Sequence, residues 1–167
     1  MDKWLEYLKD NDFMSVKKYI RDGGDVNDLN ENGESVLACA LQKRCDIDLL
    51  MLLIDNGADI DEFDDEGVSI LDNAIAFNSV ELVRYMIDNG VDVNQTNRRS
   101  RFTPLMGVAC YGRIEIAELF LQHGVNKEAV DVKGFNAIDF ARKMNKKSIL
   151  KLLDYDENSA PNRAYAR

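Results

Sequence analysis

The stretch NGADIDEFDDEGVSIL, residues 56–71, sets six carboxylates beside two glycines. Three readings compete for it: a calcium loop, an acidic binding surface, or a solvated turn. A twelve-residue calcium loop needs oxygen ligands at alternate positions, glycine at the sixth and a bidentate glutamate at the twelfth. Counting from Asp59, Phe63 takes the fifth place, Asp64 the sixth and Ile70 the twelfth. Counting from Asp61 puts Glu66 at the glycine position. Neither frame holds calcium.

Comparison of the chain with itself gives the stretch another meaning. Its first part recurs as GGDVN (23–27), NGADID (56–61), NGVDVN (89–94) and HGVNKE (123–128), with steps of 34, 33 and 34 residues between the shared glycines. Its second part recurs as GESVLACA (33–40), GVSILDNA (67–74), RFTPLMGV (101–108) and GFNAIDFA (134–141), with steps of 34, 34 and 33. Two signals that keep one period define a repeat.

Each piece has a local physical task. Gly57 and Gly90 follow the helical patterns DLLMLLIDN and VELVRYMIDN, where a left-handed residue past the last turn favours glycine. Ser35, Ser69, Thr103 and Asn136 precede the next apolar run, and their side chains accept bonds from the orphan N–H groups of a helix start. Pro104 then sits at the favoured first helical position. Leu37, Leu71, Leu105 and Ile138 open a short first helix, and spacings such as Val80, Leu82, Val83, Met86 and Ile87 mark a second.

The two motifs together resemble the ankyrin repeat, whose signature reads close to GxTPLHxA and GADVN. GADID with GVSILDNA and FTPLMGVACYGRIEIAELFLQHG carry the likeness best, and it extends over roughly residues 2–153. The resemblance implies an all-α repeat solenoid of stacked antiparallel helix pairs joined by projecting loops or β-hairpins. Ala38, Asp72, Met106 and Asp139 stand where that family has its histidine, so the hydrogen bonds of that residue must be replaced or lost. One-residue insertions fall at Arg44–Cys45 and within NRRSR (97–101).

Residues 1–154 therefore divide into five expected units, 1–29, 30–61, 64–94, 97–127 and 130–154, followed by a flexible tail at 155–167. Neighbours must stack, because one unit cannot bury its apolar face alone, and the lysines of the last pair suit a capping role. DEFDDEG becomes the loop joining two units, turned by Asp64 and Gly67, with most of its carboxylates at a solvent-exposed tip.

Composition narrows the function. The chain has 167 residues, 46% of them hydrophobic, and a net charge of −9, which fits one compact acidic domain. The longest apolar run, LLMLLI (49–54), is far short of the ~20 residues of a membrane span, and the N-terminus lacks a signal-peptide core. Cytoplasmic residence is expected. Cys39, Cys45 and Cys110 form no metal or disulfide spacing and read as reduced thiols. The single histidine, His123, precedes a glycine in LFLQHGV and suits a helix C-terminus. No nucleophile–base set or phosphate loop is present, so a non-enzymatic chain without cofactor is expected. The rival reading gives Asp61, Asp64 and Asp72 acid–base or metal work.

By the resemblance, the concave face of hairpin tips and first helices would hold a protein partner. Two ladders bear on this. Glu34, Val68, Phe102 and Phe135 stand just before the helix starts, and Lys43, Phe77, Tyr111 and Met144 stand late in the first helices. Aromatic and Met enrichment marks an interface core, although the same positions would also serve packing between units. Residues 1–96 hold 22 acids and 8 bases, a net of −14, against +5 for 97–167. The acidic tips include Asp65 and Glu66; the basic end includes Arg99 and Lys133. This polarity suits a partner with a basic surface, as for an inhibitor or immunity-type protein; a structural subunit is the further alternative. Only RRSR is concentrated enough to invite phosphate, so nucleic acid is not expected, nor a membrane, and a monomer is.

Overall fold

In the computed structural model, residues 1–154 are described, and the expected tail lies outside them. Ten helices occur among these residues: α1 Asp2–Lys9, α2 Phe13–Arg21, α3 Val36–Gln42, α4 Ile47–Asp55, α5 Ile70–Ala76, α6 Val80–Asp88, α7 Pro104–Tyr111, α8 Ile114–Gln122, α9 Ala137–Lys143 and α10 Lys147–Leu152. The described residues divide into two compact halves, with the boundary between Met86 and Ile87.

In the first half, α1 packs on α2 and α3 on α4, and the pairs stack through α1 on α3, α3 on α5 and α2 on α4. In the second, α7 packs on α8 and α9 on α10, with α7 on α9 and α8 on α10. The first helices are short and enclosed: α3 buries Val36 to Leu41 without a break. The second helices are one-sided. In α8, Ile116, Ala117, Leu119 and Phe120 are buried while Glu115 and Glu118 face solvent, the 3.6-residue rhythm of an amphipathic helix.

All four expected caps form. Backbone N–H groups of Ala38, Asp72, Met106 and Asp139 donate to Ser35, Ser69, Thr103 and Asn136 at 3.1, 3.1, 3.3 and 3.0 Å. The missing family histidine is replaced at two of its four positions by carboxylates. Asp72 accepts from the Ser69 N–H at 3.0 Å and Asp139 from the Asn136 N–H at 2.9 Å, closing reciprocal capping boxes. Met106 offers only a sulfur at 3.3 Å, and Ala38 has no side-chain acceptor. His123 caps the C-terminal end of α8, its Nδ1 2.8 Å from the Leu119 carbonyl.

The projecting hairpins are shorter than strands: isolated bridges pair Leu29 with Ser35 and Phe63 with Ser69. Three of the four tips are built on one acceptor side chain. Asp64 Oδ1 accepts from the Glu66 and Val68 N–H groups, both at 2.9 Å, while the Asp64 N–H donates to the Val68 carbonyl at 3.0 Å. Asn30 and Asp131 repeat this pattern. Successive tips touch. A Cβ on Gly33, whose φ is +74°, would lie 2.8 Å from the Asp65 carboxylate. Asn27 ties one unit to the next, accepting from the Asp59 N–H at 3.1 Å and donating to the Gly57 carbonyl at 2.9 Å. The bond from the Asn126 N–H to Asn94 does the same at 2.8 Å.

Both insertions are absorbed in turns. The extra residue near Cys45 lets Asp46 cap α4 through the Leu49 N–H at 3.1 Å. The NRRSR loop places Arg98 where other tips have Asn or Asp, and Arg101 where they have glycine. Arg101 adopts φ +56°, a left-handed conformation that costs a side-chain-bearing residue about 1–2 kcal/mol. Arg101→Gly is expected to stabilise the protein by about 0.5–1 kcal/mol, the relief being partly offset by the freer unfolded chain. Urea titration measures it; an unchanged or lower midpoint contradicts it.

Candidate functional site

The tips and first-helix ends of the first half carry Glu34, Asp65, Glu66, Val68 and Phe77. Glu34 turns inward to its own loop: Asn30 and Gln42 each donate to its carboxylate at 2.6 Å. Those two bonds, from Asn30 first and Gln42 second, hold its pKa below the usual range. Val68 is half-buried and closes its tip, whereas Asp65 and Glu66 are exposed. Phe77 caps the C-terminal end of α5 with the Arg44 guanidinium 5.6 Å from its ring centre. It lines a cleft of about 330 Å³ with Leu41, Cys45 and Ile47.

Two side chains here escaped the ladders. Leu29 and Phe63, each 53% exposed, sit on successive tips amid carboxylates, and apolar groups so placed are the natural anchors of a contact. Their step of 34 residues was readable, but Phe63 is masked in sequence by the acids around it. Glu62 is the converse. It is half-buried, and its Oε1 is enclosed with no hydrogen-bond partner among the described residues, so the tip is less uniformly solvated than its composition suggests.

Burial, and then the nearby Asp59 charge, push the Glu62 carboxyl up to about 7. The folded chain therefore keeps a proton on Glu62 between pH 4.5 and about 7, where the unfolded chain has released it. Stability is lost as pH rises through that window. Glu62→Gln should remove this loss and gain roughly 1 kcal/mol above pH 7, the full linkage being reduced by solvent screening. Urea midpoints at pH 5 and pH 8 check it; an unaltered pH slope contradicts it.

The second half carries Arg99, Phe102, Tyr111, Lys133, Phe135 and Met144. Arg99 and Lys133 are exposed, and Phe102 and Phe135 half-buried. Phe102 lies edge-on to Phe140, ring centres 5.2 Å apart, with the Arg98 guanidinium 5.1 Å from its centre. It thus serves packing as well as surface, and Phe140, which recurs at the position of Cys39 and Asn73, is a neighbour the ladders omitted. Tyr111 ends α7 at 51% exposure and Met144 caps α9 at 48%. The Arg113 guanidinium stands 5.3 Å from the Tyr111 ring centre. Such a contact is worth about 0.5–1 kcal/mol at an exposed site, and it orders the ring before any partner arrives.

The cysteines offer no activated thiolate. Burial pushes Cys39 and Cys45 up to about 11 and also raises Cys110. Among the described residues, no three His, Cys, Asp or Glu side chains group as metal ligands, and no helix is long and apolar enough to cross a membrane.

The family description for ankyrin repeats in three copies matches residues 7–97, and that for a single ankyrin repeat matches residues 100–132. The chain belongs to the ankyrin-repeat family. Its fold is the all-α repeat solenoid of that family, and ankyrin repeats are protein-interaction modules. Relatives include the E3 ubiquitin-protein ligase hecd-1 of Caenorhabditis elegans, 37% identical over 98 residues, which are 58% of this chain and 4% of the ligase. Human palmitoyltransferase ZDHHC13 is 34% identical over 89 residues, 53% of this chain and 14% of that protein. Human Rabankyrin-5 is 31% identical over 122 residues, 66% of this chain and 10% of that protein. The chain thus spans a small part of each relative's length.

Proposed function

We propose that this ankyrin-repeat chain is a non-enzymatic binding module that holds a protein partner on its hairpin tips and first-helix ends. The observation that carries the reading is the exposure of Tyr111 and Met144, equivalent side chains on the packed helices α7 and α9. Large apolar side chains left in solvent at one repeated position favour recognition over packing. Leu29 and Phe63 add two apolar tips among acids, which suits a partner presenting apolar groups within a basic surface. Lys133 and Arg99 contribute opposite charge at the later tips. Glu34, bonded into its loop, and Phe102, edge-on to Phe140, position this surface more than they contact a partner.

In this reading the five-unit division holds, the protein acts as a cytoplasmic monomer, and neither membrane nor nucleic acid is its target. A narrower version is an inhibitor or immunity-type protein that covers a basic partner's active site; a captured enzyme that keeps full activity in the complex excludes that version. The ligase and transferase activities named for the relatives are no part of the proposal.

The test is capture of partners from native lysate by the intact chain and by Tyr111→Ala/Met144→Ala. Both positions are exposed, so the helical circular dichroism should stay unchanged. A central anchor is worth about 2 kcal/mol or more, so captured protein should bind the variant at least ~30-fold more weakly. Equal binding overturns the reading.

A further inference from the structure

The second helices of the first half carry a feature that the tips do not explain. A groove of about 800 Å³ runs between α2 and α4, lined by Met14, Lys17, Lys18 and Arg21 on one side and Leu52 and Asn56 on the other. Met14 is 71% exposed, more than any other large apolar side chain among the described residues. The two helices that border the groove differ in charge, although the α4 acids lie beside its lining and not in it. Helix α2, FMSVKKYIR, has three cations and no acid, although residues 1–96 carry a net of −14. Helix α4, IDLLMLLID, has two acids and no cation. Asp48 and Asp55 are exposed, four residues before and three after Leu52, and so flank it on one face. Among the described residues neither Lys17 nor Lys18 forms an ion pair, and Arg21 meets only its neighbour Asp22, at 3.7 Å.

We infer that this groove is a second docking site and that its occupant is an amphipathic helix of a partner protein. An apolar trough between two helices receives a third helix as ridge into groove, with axes about 8–10 Å apart. The side chains of that helix facing Met14 and Leu52 are apolar. Its edge over α2 carries Asp or Glu, and its edge over α4 carries Lys or Arg. The two walls therefore fix orientation as well as affinity, since a reversed helix sets like charges together. An anionic membrane is a poorer occupant, because the exposed Asp48 and Asp55 beside the groove repel it.

The site is tested with displayed 18-residue helices that have a fixed Leu/Ala stripe and edge positions randomised between Glu and Lys, selected on the intact chain. Enriched helices should carry Glu on one edge and Lys on the other. Fluorescence anisotropy should show binding weakened at least 10-fold by Met14→Glu, whose exposed site leaves folding intact. Lys17→Glu/Lys18→Glu should select Lys on the edge where the parent selects Glu, and Tyr111→Ala should leave binding unchanged, separating this site from the tips. Absence of enrichment overturns the inference, as do helices that bind Met14→Glu equally. Binding of phosphatidylserine vesicles that Met14→Glu abolishes, or self-association that it abolishes, would replace the occupant and overturn it too.

Discussion

Trp4→Ala is expected to lower the free energy of unfolding by about 3–5 kcal/mol, the usual cost of deleting a large buried aromatic ring. Trp4 is fully buried on α1 and meets Tyr19 of α2 edge-on, ring centres 4.8 Å apart, with Tyr7 5.9 Å from the same Tyr19. Gly24 belongs to this cluster. Other units have Ala58, Val91 and Val125 at that position, but a Cβ on Gly24 would lie 2.8 Å from the Tyr19 ring. The indole gives the prediction a second edge. Among the described residues Trp4 Nε1 is buried with no hydrogen-bond partner, and an unsatisfied buried donor costs about 1–3 kcal/mol. Trp4→Phe removes that donor and keeps most of the ring, so its loss should stay under about 1.5 kcal/mol. Urea unfolding of both variants decides it: similar losses would show that the indole N–H is satisfied, and a small loss for Trp4→Ala would show that the cluster is not core.

Phe120→Ala should cost a similar amount, about 3–5 kcal/mol. Phe120 is fully buried on α8, beside Ile116 and Ala117, and α8 packs on both α7 and α10. Against a typical total stability of 5–15 kcal/mol, one such cavity removes much of what holds the second half. Tyr111→Ala, an exposed position nine residues away in sequence, should cost no more than about 0.5–1 kcal/mol, the worth of its contact with Arg113. That contrast tests the assignment of side chains to core and surface. Comparable losses at the two positions would contradict it.

The fold was legible because its signals are local and repeated. Ser35, Ser69, Thr103 and Asn136 cap the helices they precede, and Asp64 with Gly67 turns the tip. These tasks need only neighbouring backbone. The candidate surface was less legible because it depends on contacts between units. Glu34 reads as a free acid until Asn30 and Gln42 are seen bonded to it. Phe102 reads as an anchor until Phe140 arrives from the next unit. Glu62 is indistinguishable in sequence from the acids around it, yet burial pushes its carboxyl up to about 7. Leu29 and Phe63 keep the repeat period, but a strand-like position in a hairpin gives no sign of which way it faces.

The most direct test of the partner surface is amide hydrogen exchange on the intact chain, free and saturated with the protein it captures. The proposed function predicts added protection at the tips, residues 29–35, 63–69 and 98–102, and at the first-helix ends, residues 110–113 and 143–145. Protection confined to the second helices, with the tips exchanging as in the free chain, would contradict it.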